Sequence, residues 1–102
     1  MMDKTGPVAI RLRIRGRVQG VWYRGWMVDE ARDHGLAGWV RNRRDGSVEA
    51  LIIGPEPALR EMIARCHHGP RSAHVEDIEQ TILDDLSAEE YAIQGFAQCH
   101  SL

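Results

Sequence analysis

Apolar and polar residues alternate strictly from Val8 to Arg15, with Val8, Ile10, Leu12 and Ile14 on one side and Arg11, Arg13 and Arg15 on the other. A period of two predicts a strand with one face in the core and the other in solvent. The run Gly16-Arg17-Val18-Gln19-Gly20 is too rich in glycine and too short for anything but a tight loop. From about Trp22 to His34 the period lengthens: Tyr23, Met27 and Ala31 recur every four residues, and Gly35 supplies a helix stop. Leu36 to Asn42 and Ser47 to Gly54 read as two strands joined by Arg43-Arg44-Asp45-Gly46, where Asp-Gly favours a hairpin. A second helix has Pro57 near its start, Leu59, Met62, Ile63 and Cys66 along one stripe, and Gly69-Pro70 as its end. A further strand is predicted over His74 to Leu83, and a short one over Tyr91 to Gln94.

The order β-α-β-β-α-β predicts an α+β, ferredoxin-like sandwich: an antiparallel sheet with both helices on one face. At 102 residues the chain suits a single domain, its core expected over about residues 8 to 95. No apolar run approaches the roughly 18 residues of a membrane helix. The opening MMDKTGPVAI lacks an apolar stretch of signal-peptide length, so a cytoplasmic location is expected. Cys66 and Cys99 are then expected as reduced thiols rather than a disulfide framework.

Charge changes the picture. The net charge is only −2, yet Arg11 to Arg44 holds nine arginines against three acids, a local +6. Asp45 to Leu102 holds three arginines against eleven acids, a local −8. The acidic half would repel a nucleic-acid backbone, so no nucleic-acid partner is expected. Two readings of the basic half remain: a local anion site, or arginines that pair with the acidic half as surface ion pairs.

An anion site has a natural place at Gly16 to Arg24. The loop leaves a strand and enters a helix N-terminus, where backbone N–H groups lack intrahelical partners and the dipole is positive. Gly16 and Gly20 permit the positive φ angles that converge such groups into a nest. A nest of this kind suits a phosphate dianion. Arg24, one turn into the helix, can fold back and give paired hydrogen bonds to phosphate oxygens. The plainer alternatives are an ordinary turn and a surface ion pair.

Asn42 closes the second strand beside the hairpin, and two roles are open to it. One is turn-making, which Asn favours. The other is holding a water with its carboxamide, provided that strand end faces the loop. It cannot serve as a general base, because an amide does not titrate in the useful range.

The run Gly16-Arg17-Val18-Gln19-Gly20-Val21-Trp22-Tyr23-Arg24, then Gly35-Leu36-Ala37-Gly38-Trp39-Val40-Arg41-Asn42 and Asp45-Gly46-Ser47-Val48-Glu49, resembles the acylphosphatase family. Gly69-Pro70-Arg71-Ser72-Ala73-His74-Val75 is similar to a weaker segment of that family, and the resemblance spans about residues 8 to 95. It implies hydrolysis of a small acyl phosphate to a carboxylate and inorganic phosphate; a monomer without cofactor or metal is expected. On matching positions it implies Arg24 as phosphate-binding arginine and Asn42 as the residue that orients water. The implied phosphate-binding segment is Gly16, Arg17, Val18, Gln19, Gly20, Val21, Trp22, Tyr23 and Arg24. Tyr23 stands where the family more often has Phe. The tail Gly95 to Leu102 matches no motif and receives no role.

Other constellations point less clearly. Cys66-His67-His68 and Cys99-His100 fit no zinc spacing, and Cys66 falls in the apolar stripe of the second helix. Trp22, Trp26 and Trp39 are expected as core or rim packing, with only Trp22 bordering the loop. Two rival functions share the topology. One is an anion-binding module without turnover. The other is an RNA-binding sheet, which would need aromatics on the open face; there the first strand carries Arg11, Arg13 and Arg15, with Glu49 as an expected cross-strand partner.

Overall fold

The computed structural model describes residues 7–84, 90 and 92–100. The elements are β1 (Val8–Arg17), α1 (Tyr23–Asp33), β2 (Ala37–Asn42), β3 (Val48–Gly54), α2 (Glu56–Cys66), β4 (His74–Leu83) and β5 (Phe96–Gln98). The sheet order is β4-β1-β3-β2-β5. The first four strands pair antiparallel, as the ferredoxin-like reading expects.

The fifth strand corrects two expectations. The sheet is mixed, because β5 runs parallel to β2, pairing Gly38 with Phe96 and Val40 with Gln98. The final strand also lies later than the predicted 91–94: residues 92–94 are not strand, and Tyr91 lies outside the described residues. The tail therefore does have a structural place. Phe96 is buried in the main core, and the Gly38 N–H reaches the Gly95 carbonyl at 3.0 Å.

The alternation in β1 divides the sheet's two faces. Ile10, Leu12 and Ile14 face the helices and meet Tyr23, Met27 and Ala31 of α1 and Leu59, Met62 and Cys66 of α2. Every residue of β3 is buried, because it lies between two strands and both its faces are covered. Val48, Ala50 and Ile52 join the helix-side core, whereas Leu51 and Ile53 join a smaller cluster with Ala9, Trp39 and Leu83 on the other face.

The helix ends follow the sequence signals. At the end of α1 the Leu36 N–H reaches the Ala31 carbonyl at 2.9 Å and the Gly35 N–H reaches the Arg32 carbonyl at 3.0 Å. This double closure needs a left-handed residue, and Gly35 supplies it at φ 68°. The α2 stripe is buried as predicted, and the Cys66 carbonyl at its end accepts the Tyr23 hydroxyl at 2.6 Å. No helix among the described residues is long and apolar enough to cross a membrane.

Candidate active site

Strand register decides whether the loop after β1 and the end of β2 belong together. β1 and β2 both run antiparallel to β3, so they run parallel to each other and end on the same side of the sheet. Val48, the first residue of β3, pairs with Ile14 on one side and with Asn42 on the other. Two strand spacings put Ile14, three residues before the end of β1, about 10 Å from Asn42.

The loop is anchored from both directions. Val18 is buried in the core, while Arg17 and Gly20 are exposed on either side. Between them the Gln19 Nε2 donates to the carbonyls of Arg43 and Ser47, each at 2.8 Å. Those carbonyls bracket the hairpin mouth, where the Arg43 N–H also reaches the Ser47 carbonyl at 2.8 Å. The loop and the hairpin beside Asn42 are thus joined by direct hydrogen bonds. Sequence reading credited Gln19 with a backbone amide alone. A carboxamide between Val18 and Gly20 is the signal that was present, but its target lies 24 and 28 residues away.

Left-handed φ angles recur at alternate residues, 74° at Gly20 and 68° at Trp22. Alternation of this kind turns successive N–H groups toward one concavity. Trp22 is the N-cap of α1 and offers no side-chain cap, and no acidic residue occupies the first turn of that helix. Its first N–H groups and its positive dipole end therefore stay free of side-chain neutralisation. By contrast, α2 carries Glu56 in its first turn.

Arg24 is half-buried in the first turn of α1 and has no ion-pair or hydrogen-bond partner among the described residues. Asn42 is also half-buried, and its Oδ1 is buried without a hydrogen-bond partner among the described residues. A buried acceptor left unmatched costs about 1–3 kcal/mol, which an O–H donor from water or ligand would relieve. A small cleft of about 160 Å³ adjoins the loop, lined by Arg15, Gly16, Asp45, Gly46 and Ser47. Neither Arg24 nor Asn42 lines it.

The ion-pair reading of the basic half holds for five of its nine arginines. Arg13 pairs with Asp45, and Arg15 with Asp77 and Glu79. The Glu49 side chain, 7% exposed, draws Arg41 at 2.8 Å, Arg43 at 3.1 Å and Arg11 at 3.9 Å. The expected cross-strand partnership of Glu49 is therefore real for Arg11, with two further arginines from the β2 side. Arg17, Arg24, Arg32 and Arg44 keep their charge unpaired among the described residues, and two of these four belong to the loop and the helix start.

Other expectations fare differently. Of the core or rim packing expected, Trp22 takes the rim: it is 64% exposed, with its indole lying against Gly25. Trp26 is partly buried against the core and Tyr23, and Trp39 sits on the open face under the Arg41 guanidinium, 4.7 Å from its ring centre. Among the described residues no group of three His, Cys, Asp or Glu side chains is placed to hold a metal ion. Cys66 is buried, and Cys99 is exposed. Burial pushes the Cys66 thiol up to about 12 and raises the Tyr23 hydroxyl far above its ordinary range. Asp45 is held below the usual carboxylate range, chiefly by the Ser47 hydroxyl and N–H and further by Arg13 and Arg15.

Known proteins resemble the chain in both sequence and fold. The family model described as Acylphosphatase matches residues 10–98. A curated acylphosphatase of Rhodospirillum rubrum is 60% identical over 70 residues, which is 69% of this chain and 77% of the relative. One from Rhizorhabdus wittichii is 49% identical over 96 residues, covering 94% of this chain and 92% of the relative. The crystal structure of acylphosphatase from Bacillus subtilis superposes with a TM-score of 0.83 at 37% identity, over 90% of this chain and 98% of that one. With fold and sequence both matching along nearly the whole length, the chain belongs to the acylphosphatase family of enzymes.

Proposed function

We propose that Arg24 and the loop amides bind the phosphoryl group of a small acyl phosphate and that Asn42 orients the attacking water. The observation that carries this reading is the buried, unmatched Oδ1 of Asn42 at the same end of the sheet as the loop. An acceptor there can take one O–H of a water and fix the direction of its lone pair. The uncapped N-terminus of α1 and the unpaired charge of Arg24 supply the complementary anion site.

The chemistry needs little more. Water oxygen attacks phosphorus, the bond from phosphorus to the acyl oxygen breaks, and its electron pair leaves with the carboxylate. The water's proton passes to a phosphate oxygen, since neither named side chain is a base. A carboxylate is already a good leaving group, so positioning and charge neutralisation carry the catalysis.

Release of phosphate from benzoyl phosphate by the purified chain and two variants tests the roles. Asn42→Ala should lose about 10²–10³ in kcat and keep its inhibition by inorganic phosphate. Arg24→Ala should lose turnover and phosphate inhibition together. Lost phosphate inhibition in Asn42→Ala with turnover retained would reverse the two assignments.

A further inference from the structure

We propose that the side chain of Gln19 is a positioning residue for hydrolysis, acting through Asn42. The inference rests on the water-orienting role given to Asn42 above and adds the device that aims it. Nothing in that role requires a side chain from the loop. The hydrogen bonds supply one.

A carboxamide nitrogen carries two protons, and here each has its own acceptor: the Arg43 and Ser47 carbonyls, both at 2.8 Å. Both carbonyls are already engaged, Arg43 with the Gly46 N–H at 3.1 Å and Ser47 with the Arg43 N–H at 2.8 Å. Gln19 thus takes the second lone pair of each and saturates the hairpin mouth. A carboxylate could not do this, and a shorter side chain would not span it.

The consequence falls on Asn42. Its peptide link to Arg43 is held by these bonds, and its pairing with Val48 is the last between β2 and β3. The carboxamide of Asn42 has no protein partner for its oxygen among the described residues, so its aim is inherited from its backbone. Val18, buried next to Gln19, fixes the other end of the clamp to the core. The phosphate loop and the strand end that carries Asn42 are therefore locked in one register by a single side chain.

The test is a double-mutant cycle in benzoyl phosphate hydrolysis with Gln19→Met, which keeps length and removes both donors, Asn42→Ala, and the two combined. Gln19→Met alone should lower kcat between about tenfold and 100-fold, the scale on which misplacement of about 1 Å acts, with phosphate inhibition kept within about twofold of its original strength. In the Asn42→Ala background the same change should alter kcat by less than about twofold, because there is no longer an amide to aim. An equal loss in both backgrounds, or no loss in either, overturns the proposal. So does a weakened phosphate inhibition with kcat unchanged. If Gln19→Met does not fold, Gln19→Ala takes its place with the same outcomes. Full activity in Asn42→Ala alone would instead refute the parent reading, which separates the two failures.

Discussion

Tyr23→Phe removes one oxygen atom from the core and asks what that atom does. The Tyr23 hydroxyl donates at 2.6 Å to the Cys66 carbonyl, an acceptor at the C-terminal end of α2 that the helix cannot satisfy internally. Tyr23 and Cys66 are both essentially inaccessible to solvent. The ring is hemmed in as well, since a Cβ at Gly69 would lie 2.7 Å from it. Water therefore has no ready route to replace the lost donor. An ordinary hydrogen bond is worth about 1 kcal/mol net, and stranding a buried acceptor raises the cost toward 2 kcal/mol. The expected loss is about 1.5 kcal/mol. In urea, with a slope near 1.3 kcal/mol/M for a chain of this size, the midpoint should fall by about 1 M with the slope unchanged. The melting temperature should fall by roughly 6–12 °C. Benzoyl phosphate kinetics at 25 °C should be unaltered, because the hydroxyl points to α2 and away from the loop. A loss below about 0.5 kcal/mol would show that the carbonyl finds another partner. A fall in kcat at unchanged stability would refute the structural assignment altogether.

Three further outcomes follow from geometry already described. Gly16→Ala should cost at least about 3 kcal/mol and Gly20→Ala only about 1 kcal/mol, since a Cβ at Gly16 would lie 2.2 Å from the His74 carbonyl of β4 whereas one at Gly20 meets nothing within 4 Å; equal urea midpoints would refute the contrast. An aromatic disulfide reagent should titrate one thiol per native chain, the exposed Cys99, and the buried Cys66 with its raised pKa only after unfolding; two native thiols reacting in one phase would contradict the packing of α2. Asp45 is depressed in the folded state, so its hold on the Ser47 turn is complete above the unfolded carboxylate pKa and is lost as pH falls through the lower folded value. The Ser47 amide resonance should report that titration below the usual carboxylate range, and a titration at or above the ordinary value would refute it.

The parts of the fold visible in the sequence are those where each residue's fate depends on near neighbours. The alternation of β1, the stripe of α2 and the Gly35 stop are local patterns, and all three are found. Strand β5 is not local: three residues, Phe96–Gln98, are strand only because the outer edge of β2 accepts them. For Trp22 the sequence left core and rim open, because apolar character alone does not say which way the backbone turns a side chain. The site divides in the same way. Arg24 and Asn42 stand out by motif, but the Gln19 clamp joins segments that chain order keeps apart. The burial of Glu49 beneath three arginines likewise depends on strands brought together from both sides.

The short strand at the end of the sheet has a mechanical consequence. Without Phe96–Gln98, β2 would form the rim of the sheet, with one row of amides and carbonyls open to water and free to fray. With it, the Val40 carbonyl takes the Cys99 N–H at 2.8 Å, two residues from Asn42, and any fraying falls on β5 instead. Under the role proposed for Asn42, catalysis by placement more than by proton transfer tolerates little wandering of its carboxamide. Strand β5 thus contributes stiffness beside the residue proposed to aim the water.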